Sequence, residues 1–355
     1  MPASQALQLE TNVAVPMRDG TILYADIYRP EGPGPYPVLL QRTPYDKTMP
    51  LSLHMLDPLK AAKRGYAVVI QDTRGRYTSE GEFYAFRDDS HDGYDTVEWA
   101  ASQSWSLGKV GMYGNSYVGA TQWQAATACP PHRAAIAPRV TASNYHDGWT
   151  YQGGAFELGF NVSWTLGNLT LANFQSLAAR KQIPHERRGQ LVQAVDALAS
   201  VFHALPLKAF PHVQDGLADY FYDWLAHPDD DVYWHHLSIE AAHSRMTVPA
   251  LHIGGWYDIF LGGTLPQLSG HARAGRHTGG PAGPETAHRS LATRRLQRPW
   301  HRWGPLFRSG VRPPGHRSRR PAPALVRLLA QEHGQRHHAR AAGADLCHGG
   351  QRLAG

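Results

Sequence analysis

The hexapeptide Gly114-Asn115-Ser116-Tyr117-Val118-Gly119 sets a serine two residues after one glycine and three before another. The apolar run Val110–Tyr113 ahead of it reads as a strand, and Tyr117–Ala128 after it as a helix. A serine on so sharp a strand-to-helix turn needs small neighbours, because the backbone there is crowded and strained. The turn lifts the hydroxyl off the sheet edge and aims a helix N-terminus at a developing oxyanion. The chemistry is attack by Ser116 on an ester or amide carbonyl. The spacing departs from strict G-x-S-x-G, since Val118 holds the fifth position. A glycine-rich turn that happens to hold a serine is the plain alternative, and the strand–turn–helix context weighs against it.

A serine hydroxyl needs a base, and the base needs an orienting carboxylate. On a sheet of this kind the order along the chain is serine, acid, histidine. Asp258 closes Gly254-Gly255-Trp256-Tyr257-Asp258, just past Val248–Gly255, which is expected as a buried strand. Strand-end loops are where an α/β sheet gathers its chemistry. The structural alternative for Asp258 is a helix N-cap. The base should follow it, where His271, His277, His288, His301 and later histidines stand; His301, in Pro299-Trp300-His301, is the candidate.

The elements that must position these groups alternate. Leu9–Met17 and Thr21–Tyr28 form a hairpin about the turn Arg18-Asp19-Gly20. Val38-Leu39-Leu40 and Tyr66–Ile70 are short apolar strands, with a helix ending at Gly65 between them. Asp88–Trp105 has helical spacing. Strands alternating with helices imply βαβ units. The expectation is an α/β fold with a mainly parallel sheet: a core over 1–140 with the nucleophile turn, a helical cap over 141–245, and core again over 246–270. The cap is rich in scattered aromatics, and Trp149, Tyr151 and Trp164 are expected to line the substrate pocket.

The rest, 271–355, is expected to be irregular. It lacks isoleucine, tyrosine, lysine and asparagine and holds sixteen arginines against three acids, a net +13, whereas 1–270 carries −7. It reads as a disordered basic tail or, more in keeping with its abruptness, as an out-of-frame reading of a GC-rich gene. The +13 stretch raises nucleic-acid binding as an alternative function, since arginine neutralises phosphates. No helix-turn-helix, zinc finger or RNP pattern accompanies it, so no nucleic-acid partner is expected. Cys129 and Cys347 make no disulfide framework. No secretory leader or apolar run of membrane-spanning length is evident, so a cytoplasmic protein without membrane partner is expected. Oligomeric state is left open. Asp72-Thr73-Arg74-Gly75 is expected to brace a loop. His91-Asp92 with Asp88 and Asp89 suit a helix start better than a metal. Neither metal nor cofactor is expected.

Together, "YGNSYVGATQWQ" (Tyr113–Gln124), "QDTRGRYTSEGEF" (Gln71–Phe83), "GGWYDIF" (Gly254–Phe260), "VPMRDGTILYADIYRP" (Val15–Pro30) and "RTPYDK" (Arg42–Lys47) resemble the cocaine esterase/X-Pro dipeptidyl-peptidase (peptidase S15) group of α/β hydrolases. The resemblance runs over roughly residues 10–264 with its motifs in order. It implies the α/β-hydrolase fold, Ser116 as nucleophile, Asp258 as triad acid, and Tyr45 with the Tyr117 backbone N–H as oxyanion donors. It implies small-molecule ester or peptide substrates: acyl esters, α-amino acid esters or X-Pro peptides. Where the group has G-P-W-x-H, this chain reads Arg298-Pro299-Trp300-His301, with glycine replaced and histidine one residue early. The group also carries a C-terminal jelly-roll domain, and none is expected from the composition of 271–355. An inactive or folding-defective hydrolase fragment is therefore a further expectation to be weighed.

Overall fold

Arg18-Asp19-Gly20 turns the chain as its composition demands: Gly20 sits at φ 85° and Met17 closes the turn on both sides. The computed structural model describes residues 6–181 and 183–277. In it the hairpin β1 (Leu7–Pro16) and β2 (Ile22–Pro30) leads into β3 (Tyr36–Thr43), β4 (Ala67–Asp72), β5 (Ser106–Asn115) and β6 (Arg133–Arg139). Their order across the sheet is β1-β2-β4-β3-β5-β6. The pairs β1–β2 and β2–β4 are antiparallel, and β4, β3, β5 and β6 run parallel. This is the α/β-hydrolase arrangement that the alternating pattern implies. β4 is buried at every position, as a strand covered on both faces must be.

The connections are helical. α1 (Pro50–Met55) and α2 (Pro58–Ala62) join β3 to β4, α3 (Asp89–Ser102) joins β4 to β5, and α4 (Tyr117–Thr127) joins β5 to β6. Asp57 caps α2 by accepting from Lys60 N–H at 3.0 Å. Alternation along β3 sends Val38 and Leu40 to one face and Leu39 to the other, where it meets Val68, Ile70 and Tyr113. α3 and α4 lie against each other at Gly93, where a Cβ would stand 2.6 Å from that of Ala125.

Past β6 come the short hairpin β7 (Tyr151–Gln152) and β8 (Ala155–Phe156), α5 (Leu158–Ser163), a π-helical stretch at Trp164–Leu171, α6 (Phe174–Lys181), α7 (Glu186–Asp196), α8 (Leu198–Val201), α9 (Asp219–Ala226) and α10 (Val232–His235). This region shares the sheet's hydrophobic core: Trp149, Leu166 and Trp224 belong to one buried cluster with Val38 and Leu40.

Two expectations are corrected. Val248–Gly255 does not form a regular strand. It touches β6 only at bridges Ile136–Ala250 and Arg139–Ile253, and between them Pro138 of β6 has no N–H to donate to the neighbouring segment. Order also continues beyond residue 270, since α11 (Leu261–His277) carries helix to His277. Thr264 Oγ1 and Gln267 Nε2 anchor α11 to the carbonyls of Thr141 and Ala142, and Gly263 admits its backbone against Ala142. Among the described residues no helix is long and apolar enough to cross a membrane.

Gly93→Val should lower stability by about 1–3 kcal/mol, because the added side chain must force α3 from α4. A urea midpoint equal to the parent's would show that this contact does not set the helix spacing.

Candidate active site

β5 delivers the chain to Ser116 through Gly114, whose φ is 143°. A Cβ there would stand 2.2 Å from Val118 Cγ1, so no side chain fits. Ser116 itself takes φ 57° and ψ −128°, outside the regions an L-residue ordinarily visits. Surrounding bonds hold that conformation. Ser116 N–H donates to Arg139 O at 2.9 Å, and Ser116 O accepts from the N–H groups of Gly119 and Ala120. Tyr117 is the first residue of α4, where a backbone N–H has no intrahelical acceptor. Among the described residues it has no other partner, so it is available to an anion beside Ser116.

The Tyr117 side chain is tied down from beneath. Its hydroxyl donates to Asp89 Oδ2 at 2.6 Å and accepts from Phe86 N–H at 2.8 Å. Asp89 in turn meets Arg42 Nη1 at 3.3 Å. Burial and the Asp89 carboxylate push the Tyr117 phenol well above its ordinary pKa, so it stays a neutral donor. The acids at the start of α3 thus do more than complement a helix dipole: Asp89 and Asp92 are buried, and Asp92 pairs with Arg74 at 2.6 Å. Asp72, expected to brace a loop, accepts from Lys47 Nζ at 3.0 Å.

Tyr45 lies just past β3, where its N–H donates to Thr43 Oγ1. Its hydroxyl accepts from Trp164 Nε1 at 2.9 Å and interacts with the Ser116 hydroxyl. Burial raises the phenol to about 12, against the opposing pull of Trp164, Ser116 and Arg76. Tyr45 therefore remains protonated at neutral pH. With one lone pair taken by Trp164, its proton is available on the serine side.

Asp258 follows the bridges beside β6. Its Oδ1 accepts from Phe260 N–H at 2.7 Å and its backbone carbonyl from Leu261 N–H. The turn-capping role is thus taken by one carboxylate oxygen. Oδ2 accepts no hydrogen bond among the described residues. Burial raises the Asp258 pKa, and the Phe260 N–H and the Arg139 charge pull it back. Phe260 stacks on Trp149 at 4.4 Å, and Trp149 stands edge-on to Trp164 and Tyr117, so rings link the Asp258 loop to the serine turn.

The fold gathers Ser116, Tyr45, Tyr117 and Trp164, and Trp149 joins them through its ring contacts. Among the described residues no contact brings Tyr151 to the serine: its hydroxyl donates to Trp224 O, its ring stacks on His146, and it is 4% exposed. It packs inside the cap, because β7 turns it toward α9. His301 lies outside the described residues. The contacts of Asp89, expected only as a helix-start acid, and of Arg76 depend on partners distant in the chain.

Residues 19–283 match the family model for X-Pro dipeptidyl-peptidase (S15 family), a span that stops short of His301. Cocaine esterase of Rhodococcus sp. (strain MB1 Bresler) is 38% identical over 263 residues, covering 72% of this chain and 45% of that protein. A putative serine esterase of Mycobacterium tuberculosis (strain CDC 1551 / Oshkosh) is 31% identical over 42% of this chain and 27% of its own length. The chain thus spans less than half the length of these curated relatives. Among solved structures, a CocE/NonD family hydrolase from Staphylococcus aureus superposes with a TM-score of 0.57 at 25% identity, covering 76% of this chain and 45% of that one. An α-amino acid ester hydrolase gives 0.54 at 24% identity, covering 78% and 47%, a likeness of fold alone.

Tyr117→Phe should cost about 1–3 kcal/mol, because it strips the buried Asp89 carboxylate of a donor and the Phe86 N–H of an acceptor. Urea denaturation reads this, and an undiminished midpoint would show that the Asp89 network does not support the turn.

Proposed function

Because the chain belongs to the X-Pro dipeptidyl-peptidase (S15) family, we propose that it is a serine hydrolase acting on acyl ester or amide bonds through a covalent acyl-Ser116 intermediate. The observation that carries this reading is the Ser116 backbone at φ 57°, with the Tyr117 N–H and the Tyr45 hydroxyl both at the serine.

In this reading Ser116 Oγ attacks the carbonyl carbon while a histidine takes the hydroxyl proton. His301 is the candidate from the sequence. Asp258 offers Oδ2 to hold the imidazole's other N–H, which fixes the tautomer. The carbonyl π electrons move onto oxygen, and the resulting oxyanion accepts from Tyr45 Oη–H and Tyr117 N–H. The leaving alcohol or amine departs with the proton from the imidazolium. Water, deprotonated by the same histidine, then releases the acid and restores Ser116. The substrate classes follow the relatives: cocaine esterase suggests carboxylic esters, and the family description suggests X-Pro peptides. Trp149 and Trp164 are proposed as the apolar wall beside the serine, a reading supported by the Trp164 bond to the Tyr45 hydroxyl and the ring contact between the two indoles.

Labelling of the 355-residue chain with a fluorophosphonate tests the proposal. Ser116 should label, Ser116→Ala should not, and Tyr45→Phe should slow labelling about 10²–10³-fold by removing one oxyanion donor. A chain that melts cooperatively yet takes no label would overturn it, because an activated serine needs a working base. Equal labelling of Ser116→Ala would move the nucleophile elsewhere.

A further inference from the structure

Arg76 lies on the loop after β4 and is 1% exposed. Its Nε donates to Pro44 O at 2.7 Å, Nη1 to Leu169 O at 2.8 Å and Nη2 to Asn168 O at 3.4 Å. The faces of Phe83 and Tyr77 lie 5.0 and 5.2 Å from its guanidinium carbon. Among the described residues it makes no ion pair. Asp72, whose charge reaches it, is held by Lys47 at 3.0 Å.

A buried cation satisfied by neutral dipoles alone is costly, and burial draws its pKa down accordingly. If the loop needed only an apolar filler, a neutral side chain would serve at lower cost. The carbonyls it joins account for the charge. Pro44 immediately precedes Tyr45. Asn168 and Leu169 belong to the π-helical stretch that also carries Trp164, the donor to the Tyr45 hydroxyl. One guanidinium therefore binds the backbone of the Tyr45 loop to the helix that holds the Tyr45 side chain. Its field also favours negative charge at the Tyr45 oxygen.

We infer that Arg76 is the positioning residue of the oxyanion site. It locks the Tyr45 loop against the Trp164 helix and keeps a buried positive charge there, which favours negative charge developing on the substrate carbonyl oxygen. Such a charge is in place before reaction and needs no reorganisation during it. The inference rests on the role proposed above for Tyr45, and two separate readouts distinguish the failure of each.

The experiment uses the full chain with 3-fluorotyrosine at position 45, whose phenol ionises below that of tyrosine. ¹⁹F NMR follows its titration whether or not the chain turns over. In Arg76→Met the ionisation should move up, because the neighbouring positive charge is lost. Fluorophosphonate labelling of Ser116 should slow about 10²-fold at saturating probe, with the half-saturating probe concentration unchanged. Arg76→Lys should hold the ionisation near the parent value, because the charge stays, while recovering only part of the rate, because the three-carbonyl fork is lost. A folded Arg76→Met chain with the parent titration, or with labelling reduced only in proportion to its folded fraction, overturns the inference. Should Arg76→Met fail to melt cooperatively, Arg76→Lys decides: a displaced ¹⁹F resonance with slower labelling supports the inference, and parent-like values for both overturn it. If the parent chain does not label, the catalytic reading fails, and the titration still decides whether Arg76 governs the Tyr45 phenol.

Discussion

A serine held at φ 57° is the constraint on which the rest of this structure depends. An L-residue there costs of order 1–3 kcal/mol and persists only where its surroundings over-determine it. Three kinds of restraint do so. Gly114 removes the side chain that would collide with Val118. The carbonyl at the end of β6 takes the Ser116 N–H. The ring of Tyr117, clamped by Asp89, fixes the start of α4. The strain and the unpartnered N–H at the helix N-terminus are two results of one geometry, so the feature that destabilises the turn also equips it to meet an anion.

The polar groups beneath the site follow a pattern of mutual dependence. Arg42 is fully buried yet contacts Asp89 and Asp92, Asp92 also pairs with Arg74, and Arg74 reaches out to Asp19 near the surface. Removing Arg42 would leave Asp89 buried without a cation, which costs more than the pair contributes. These residues connect β3, the loop after β4, the start of α3 and the β1–β2 turn. The network thus sets the relative placement of the loops that carry Tyr45 and Ser116.

The cap acts through shared packing. Its tryptophans lie in the same cluster as the central strands, so it has no apolar face of its own to bury. In consequence Trp164 reaches the Tyr45 hydroxyl, and Trp149 meets Phe260 beside Asp258. The π-helical turn at Trp164–Leu171 widens the helix where it supplies carbonyls to Arg76 and an indole N–H to Tyr45. Such turns often mark functional positions.

The hairpin, the alternation of strands and helices, and the serine turn were legible in the sequence because each rests on local periodicity, turn residues and steric limits within a few positions. Asp258 was expected on a strand-end loop for the same reason, and Tyr45 was named only through family resemblance. The tertiary structure alone decided that Trp164 holds Tyr45 across 119 residues, that Arg76 meets Leu169 across 93, and that Tyr151 turns into the cap. It also ended regular pairing at Val248–Gly255 and continued α11 to His277, where composition suggested no order. The physical reason is one of range. Backbone propensity and turn chemistry are properties of neighbouring residues. The partner of a buried cation or indole is set by which distant segment the hydrophobic core brings against it.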